Sequence, residues 1–561
     1  MQESPLNIVV VGAVAAGMKA ASKARRCDSR ARITVLEKGE LISYGACGMP
    51  YYVEGEVKEL DELMKTSAGY LRDIAYFQEV KNIDVQTGIT ATRIDRSAKT
   101  LFANKADGSE CCFPYDKLVL ATGALPLTLP IPGAELQNIL PLWHPRQAQA
   151  VDRGIANGQY KKAVIIGAGL VGIEMAEALA IRGLEVTVVE MKEQIFPAFL
   201  DPGMAKALEK YLRNKGVRIF TQEKVLRFEG KDTVSGVVTD TQIIPADLVI
   251  TGVGVKPNIE LAAAAGLEIG SAGGIIVDEC LRTTDPDIYA GGDCVENIHL
   301  ISGKKLLTPM GSTANKHGRV IGANVCGGDL RFKGVLASVI VKVFDINVGA
   351  VGLNESEAVS MGIDYVASVI TAFDKPHYMS GARTLTLKLI VDSKTRKILG
   401  AQAYGRSDVS KRLDVIAMAL TVGGSLEDLF DADLTYAPPF NSPIDPVAVA
   451  ANVVMNKLDG KFTGISPLMG KAEAEIGTVF LDVRTDRETA RSRLAGCRQK
   501  HIPLHELRCR LDEIDFGADI ITFCSFGLRG YEAALILQEA GFMGVKNLEG
   551  GTTAWPFDFE K

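Results

Sequence analysis

The sequence predicts an α/β protein of several domains in which one parallel-sheet fold is interrupted by a second. Three observations predict it. The chain has 561 residues, too many for one core, so three or four domains are expected. An apolar strand followed by a glycine turn and a helix occurs twice, from Asn7 and again from Lys162. Short apolar strands at 118–124 and 287–294 flank the second copy. The first fold therefore closes only after the second is complete.

Composition narrows the class. A hydrophobic content of 47% with 56 glycines suits a soluble α/β enzyme rich in tight turns. The net charge of −6 argues against nucleic-acid binding, which favours a basic surface. No apolar run reaches the length of a membrane span. Residues 8–16 are apolar like a signal peptide, but the segment before them carries an acid and no base, which fits a first strand better. Ten cysteines without a Cys-x-x-Cys make no disulfide scaffold, so a reducing cytoplasm is expected. Six scattered histidines offer no metal site.

The first element is Asn7-Ile-Val-Val-Val-Gly-Ala-Val-Ala-Ala-Gly-Met. Gly12 permits the turn and Gly17 lets the helix pack on the strand, while Val14 takes the place of the middle glycine. Ile33-Thr-Val-Leu-Glu follows as a strand whose terminal Glu37 is placed to hold a ribose hydroxyl. The second copy, Ala163-Val-Ile-Ile-Gly-Ala-Gly-Leu-Val-Gly, carries the full glycine pattern at Gly167, Gly169 and Gly172. Its next strand, Glu185-Val-Thr-Val-Val-Glu, ends at Glu190. A carboxylate there accepts from a 2′-hydroxyl and repels a 2′-phosphate, which favours NADH. Lys192 nearby leaves NADPH open. From about Gly334 the chain becomes β-rich, as in Thr384-Leu-Thr-Leu-Lys-Leu-Ile-Val, mixed with helices. The expected division is 1–146 and 276–333 for the first fold and 147–275 for the inserted one. An α+β domain at 334–456, a linker at 457–472 and an α/β unit at 473–561 complete it.

Two lone thiols carry the chemistry. Cys47 lies in Ser43-Tyr-Gly-Ala-Cys-Gly-Met-Pro-Tyr-Tyr, with no second cysteine after it. Pro50 suits the first turn of a helix, and a thiol at a helix N-terminus has its thiolate stabilised. A single thiol can bind one sulfur of R–S–S–R or R–S–S–H, and no neighbouring protein thiol resolves the adduct. The bland alternative is a buried cysteine at a turn. Cys524 opens Cys-Ser-Phe-Gly-Leu-Arg-Gly, a loop whose N–H groups can face one sulfur. Arg529 adds a single positive charge. A loop aimed at thiosulfate is expected to be more basic, so polysulfide or an organic persulfide is the expected donor. Lys19, Lys23 and Arg26 fall on one face of the first helix. They suit either phosphate binding or an ordinary solvated surface.

Residues 6–456 resemble the flavin-dependent pyridine nucleotide–disulfide oxidoreductases. The resemblance places Gly12, Ala13, Gly17, Glu37, Lys38, Thr122, Gly123 and Asp293 against FAD. It places Gly167, Gly169, Gly172 and Glu190 against NADH. Paired-cysteine members have their second cysteine where Tyr52 stands here, so the single-cysteine branch is the better match. That branch holds coenzyme A disulfide reductases, NADH oxidases and peroxidases, and persulfide reductases. Within it, Cys-Gly-Met-Pro-Tyr-Tyr is most similar to the coenzyme A disulfide and persulfide reductase group. Tyr436 and Tyr378 match that group's substrate-facing tyrosines, which come from the partner subunit and so imply a homodimer. Tyr436 is the candidate proton donor, with a plain core tyrosine as its alternative. Lys19, Lys23, Arg26, Ser43 and Lys81 are implied coenzyme A contacts, while Ala46 departs from the asparagine often found before the cysteine. Residues 473–561 resemble a rhodanese domain through Phe480-Leu-Asp-Val-Arg-Thr, the Cys524 loop and Leu548-Glu-Gly-Gly-Thr-Thr-Ala-Trp. Its usual Gly-His-Ile-Pro-Gly is degraded to Ser492-Arg-Leu-Ala-Gly, so a purely structural rhodanese stays open. The fused arrangement implies NADH-dependent reduction of coenzyme A persulfide, polysulfide or coenzyme A disulfide at Cys47. Cys524 would deliver sulfane sulfur, and hydrogen sulfide would be released. An NADH oxidase or peroxidase cycling through sulfenic acid, or a non-catalytic redox sensor or sulfur carrier, are the alternatives.

Overall fold

The structure, a computed structural model, describes residues 4–560. It divides into two compact units, the first comprising residues up to 189 together with Glu223–Val335. Its leading sheet is fully parallel, in the order Ile288–Ala290, Lys117–Leu120, Asn7–Val11, Arg32–Glu37, Asp84–Thr87. Ile8, Val9 and Val10 are each at most 1% exposed, so this strand is covered on both faces and reads as a continuous apolar run. The chain leaves this sheet after Leu120 and returns at Ile288. Between them lies a second parallel arrangement of Glu185–Val189, Lys162–Ile166, Leu248–Thr251 and Ile139–Pro141. The interruption expected from the repeated strand–turn–helix pattern is present.

Two helices of the first unit, Ala16–Cys27 and Gly311–Asn324, approach almost backbone to backbone. A Cβ at Gly318 would lie 2.5 Å from the Ala16 carbonyl oxygen, and one at Gly322 would lie 2.3 Å from that of Ala20. Glycines spaced four apart thus form the contact stripe.

The second unit holds residues 190–222 and 336 onwards. Its antiparallel sheet runs Val339–Val343, Ile346–Gly352, Ile398–Gly405, Thr384–Asp392, Tyr365–Phe373. Helix Pro446–Leu458 packs on the edge strand Tyr365–Phe373, and Val409–Val422 packs further in. A parallel sheet follows, in the order Gly464–Ile465, Val545–Leu548, Ile520–Phe523, Val479–Asp482, Arg498–His501.

The stretch 457–472 is not a linker. Helix Pro446–Leu458 enters it, Gly464–Ile465 is the first strand of the last sheet, and Pro467–Glu475 is a helix. The glycine and Ser-Pro signals that read as flexible have specific duties. Ser466 caps the helix by accepting from the Met469 N–H and Pro467 occupies its first turn,. A Cβ at Gly464 would fall 2.0 Å from the Glu549 carboxylate. That carboxylate accepts from the edge-strand Val369 N–H at 3.1 Å and from Lys457 Nζ at 2.5 Å. Lys457 also donates to the Ala367 carbonyl at 2.6 Å. The last sheet is therefore clamped to the free edge of the antiparallel one. Among the described residues no helix is long and apolar enough to cross a membrane.

Candidate active sites

Cys47 sits in the tight turn Ala46–Gly48, exposed, just before the short helix Met49–Glu54 with Pro50 in its first turn. Tyr52, at the place a second thiol would occupy, is buried and points its hydroxyl at Asp152, 3.4 Å away. All ten cysteines are free. A longer helix also faces the sulfur: a Cβ at Gly311, the first residue of Gly311–Asn324, would lie 3.8 Å from Cys47 Sγ. The backbone N–H groups of Gly311 and of Cys47 itself pull the thiol's pKa down, but they lose. Although the residue reaches solvent, desolvation by the protein around its sulfur, then the charges of Glu174 and Asp293, push it above its ordinary value,. The stabilising N–H groups expected at the helix end are present, but they do not set the net direction. Desolvation first, and then two carboxylates from distant elements that local spacing does not reveal, outweigh those N–H groups.

The residues assigned to FAD form a cradle that fits it. Gly12 has φ of +104°, and a Cβ there would strike the Ala121 carbonyl oxygen at 2.2 Å, while one at Gly17 would strike that of Gly12 at 1.9 Å. Both Glu37 oxygens accept backbone N–H groups, from Ala13 and Gly39, each at 2.9 Å. Lys38 is exposed beside them. Thr122 donates to the Asn258 carbonyl at 2.6 Å, and Gly123 turns the chain with φ of +69°. Asp293 follows strand Ile288–Ala290, and burial pushes its carboxyl up to about 6. A half-buried carboxylate in that condition suits a hydroxyl-bearing chain such as a ribityl group, which can donate to it. His317 was not legible as part of this site. It is fully buried, its Nδ1 accepts the Gly292 N–H at 3.1 Å, and burial pushes its pKa down to about 4. Neutral imidazole thus fixes the turn that presents Asp293.

The second glycine turn repeats the logic. A Cβ at Gly167 would strike the Gly252 carbonyl oxygen at 2.5 Å, and one at Gly172 that of Gly167 at 2.0 Å. Gly169 differs: nothing lies within 4 Å of its missing Cβ, and it directly precedes helix Leu170–Ile181. Open space over free helix N–H groups suits a dinucleotide pyrophosphate. Glu190, following strand Glu185–Val189, accepts the Lys192 N–H at 2.9 Å.

The implied coenzyme A contacts divide. Lys19 and Arg26 are exposed and Lys23 half-buried on helix Ala16–Cys27, and among the described residues none of them has an ion-pair partner. The stems of Lys19 and Lys23 border the glycine stripe, 2.6 and 2.7 Å from Cβ positions at Gly318 and Gly322. Lys81 lies 5.5 Å over the Tyr76 ring, and Arg25 holds the next residue, donating to the Asn82 carbonyl at 2.7 Å. The C-terminal end of the helix and Lys81 are therefore neighbours. Ser43 is buried with φ of 52° and donates its N–H to the Ala13 carbonyl at 2.7 Å. Its backbone belongs to the Gly12 turn.

In the second unit, Cys524 is buried and its sulfur accepts the Gly527 N–H at 3.1 Å. Arg529 does not stand as a free cation. Its guanidinium forks onto Glu488 at 2.8 and 2.7 Å, and Ser525 donates to the same carboxylate at 2.7 Å. The Arg529 guanidinium holds Glu488 well below the usual carboxylate range. The lone positive charge read from the sequence is thus neutralised by a residue 41 positions earlier. Phe526 of this loop packs edge-on against Phe373, ring centroids 5.2 Å apart, and His377 stands 6.4 Å from Phe373 and 5.7 Å from Tyr378. The Cys524 loop therefore abuts the connection that carries Tyr378. Tyr378 and Tyr436 are both exposed. Among the described residues no cluster of His, Cys, Asp or Glu could hold a metal ion.

Residues 6–307 match the pyridine nucleotide-disulphide oxidoreductase family, 338–447 its dimerisation domain and 468–556 the rhodanese-like domain. An NAD-dependent persulfide reductase from A. fulgidus superimposes with a TM-score of 0.94 at 46% identity, covering 98% of this chain and 100% of that one. Reduced CoADR-RHD of Bacillus anthracis gives 0.91 at 33% identity over 98% of each chain. By sequence, the NAD(P)H coenzyme A polysulfide/persulfide reductase of Pyrococcus horikoshii is 37% identical over 80% of this chain and 98% of its own length. A Methanocaldococcus jannaschii protein named NADH oxidase is 35% identical over 81% of this chain and 100% of its own length. The chain belongs to the pyridine nucleotide-disulfide oxidoreductases, enzymes that use FAD and NAD(P)H, and carries a dimerisation domain and a C-terminal rhodanese domain.

Proposed function

We propose that this chain is an NADH-dependent reductase of coenzyme A persulfide, polysulfide and coenzyme A disulfide, acting through Cys47 as a homodimer and fed with sulfane sulfur by Cys524. The observation that carries the proposal is the solitary Cys47 thiol: the place of a resolving cysteine is held by Tyr52, turned towards Asp152. A sulfur bound to Cys47 can leave only by reduction or by a substrate thiol. The relatives named as persulfide and coenzyme A disulfide reductases support the substrate class.

Bound FAD, fed by NADH, supplies the electron pair that returns a Cys47 persulfide to thiolate and hydrogen sulfide. The remaining steps belong to this chain's residues. The Cys47 thiolate attacks the outer sulfur of R–S–SH; its S–S bond breaks, Cys47–S–SH forms, and RS⁻ leaves with the bonding pair. Tyr436, contributed by the partner subunit, gives the departing thiolate its proton. Lys19, Lys23 and Arg26 hold the phosphates of a coenzyme A-borne thiol. Cys524 takes a sulfane sulfur by the same displacement and passes it to the coenzyme A thiol. Its neutralised Arg529 suits a donor of low charge. Glu190 favours NADH, and NADPH remains usable.

The test is sulfide release driven by NADH. Cys47→Ser is expected to abolish it with every donor, whereas Cys524→Ser removes only the part supplied by rhodanese-type donors. Full sulfide output from the Cys47 variant would end the proposal. Faster NADH consumption with oxygen or peroxide than with polysulfide or coenzyme A disulfide would favour the oxidase or peroxidase reading, as the name of the Methanocaldococcus relative suggests.

A further inference from the structure

The two tyrosines implied as substrate contacts lie on separate irregular connections, yet one buried polar unit reaches both. Arg412, on helix Val409–Val422, is 1% exposed and is among the largest fully buried side chains. Its Nη2 donates to the Asp374 carbonyl at 3.0 Å and to Asn441 Oδ1 at 2.8 Å, and lies 3.1 Å from the Asp445 carboxylate. Asp374 begins the connection between strands Tyr365–Phe373 and Thr384–Asp392, which carries Tyr378. Asn441, also 1% exposed, grips both residues flanking Tyr436. Its Nδ2 donates to the Thr435 carbonyl at 3.3 Å, and its backbone N–H donates to the Ala437 carbonyl at 3.1 Å. Ser442 adds a bond at 3.5 Å to the Phe373 carbonyl.

We propose that Arg412 and Asn441 are positioning residues that lock Tyr436 and Tyr378 into one edge for recognising the thiol-bearing substrate, an inference that rests on the substrate role given to those tyrosines above. Tyr378 and Tyr436 are both exposed, so apolar packing alone fixes their placement little. A guanidinium with planar, directional donors fixes carbonyls from two segments at once. A burial-driven core would stabilise this region as well, but it would not set where a phenol points. Misplacing a reacting group by about 1 Å costs on the order of a hundredfold in rate.

The experiment is a double-mutant cycle on the intact flavin-loaded dimer, with coenzyme A disulfide as probe. Tyr436→Phe and Asn441→Ala are expected each to lower kcat by about tenfold to a hundredfold, and the pair together no further than Tyr436→Phe alone. Both lower kcat more than they raise KM, and both leave NADH bleaching of the flavin unchanged. Arg412→Lys, which keeps the charge but loses the planar Nη2 donors that reach both segments, is expected to raise KM through Tyr378 as well. Asn441→Ala alone suffices should that variant fail to fold. Multiplicative losses in the double variant would overturn the proposal, because Asn441 would then act independently of Tyr436. A Tyr436→Phe protein with full activity would overturn both the tyrosine's role and this inference.

Discussion

The clamp between the two sheets of the second unit makes a sharp prediction. Glu549 has a side chain 4% exposed, and its ion-pair partner Lys457 is 18% exposed. Lys457→Met leaves the carboxylate buried with one donor, the Val369 N–H. Removing one partner of a buried pair costs about 3–5 kcal/mol. The residual exposure of Lys457 lets water reach the site, so the lower end applies. About 3 kcal/mol lowers the docked-to-undocked ratio of the rhodanese domain by more than about a hundredfold. Amide exchange reads this directly, because Val369 lies on an edge strand and its outward N–H is bonded to Glu549. The peptide covering residues 365–373 should lose protection in Lys457→Met. It should regain most of it in Lys457→Met/Glu549→Gln, where the new amide accepts from Val369 and donates to the Ala367 carbonyl. Unchanged exchange in the single variant, or a double variant no better protected than the single, would refute the clamp.

Three further outcomes follow from the same geometry. Asp293, pushed by burial from 3.8 to about 6, binds its proton more tightly folded than unfolded. The flavin-free protein should therefore gain stability as pH falls through that interval and lose it as pH rises; Asp293→Asn should flatten the profile in urea unfolding, and a stability that climbs with pH there contradicts the assignment. Gly322→Ala puts a Cβ 2.3 Å from the Ala20 carbonyl oxygen, and backbone cannot yield as a side-chain tip does. The cost should be about 1–3 kcal/mol in thermal unfolding, and a neutral substitution would mean the helices part freely. Glu488→Gln removes the countercharge from an Arg529 guanidinium that already reaches Cys524, and should raise sulfur transfer from thiosulfate to cyanide severalfold relative to transfer from an organic persulfide. An unchanged ratio would show that the pair has no part in donor choice.

The parallel sheets, their interleaving and the glycine turns were legible because each depends on neighbours in sequence. Gly12 and Gly167 announce a positive φ and a close carbonyl wherever they occur after an apolar strand. Cys47 was legible as a lone thiol, but its electrostatics were not, since the protein that desolvates it and the charges of Glu174 and Asp293 come from elements far along the chain. The same holds for Arg529, whose partner Glu488 doubles as the capping residue of the short helix Asp486–Thr489. His317 gave no local signal at all: an isolated histidine in a helix looks alike in a core and in a site. The error at 457–472 had a different source. Gly, Ser and Pro mark both flexible chain and the ends of regular elements, and only Ile465, 3% exposed among Phe480, Leu548 and Trp555, decides between them.

The polar interior of the second unit has a common pattern that apolar burial cannot supply. Lys388, 8% exposed by side chain, sits between Asp201 at 2.6 Å and Glu355 at 2.8 Å. Asp201 starts helix Pro202–Asn214 and also exchanges bonds with Gln402 at 2.9 and 2.8 Å. Arg412 ties down the segments bearing Tyr378 and Tyr436, and Lys457 with Glu549 ties down the rhodanese domain. Each cluster fastens an element end or a loop to the antiparallel sheet rather than joining two regular faces. Such ends expose backbone carbonyls and N–H groups that hydrophobic side chains would leave unsatisfied. Charged side chains reach those groups directionally and admit one register. Hydrophobic replacement of a buried pair is often neutral for stability, so fixed placement is the property that these three clusters add, and it is placement that the loops beside Cys524 and Tyr378 require.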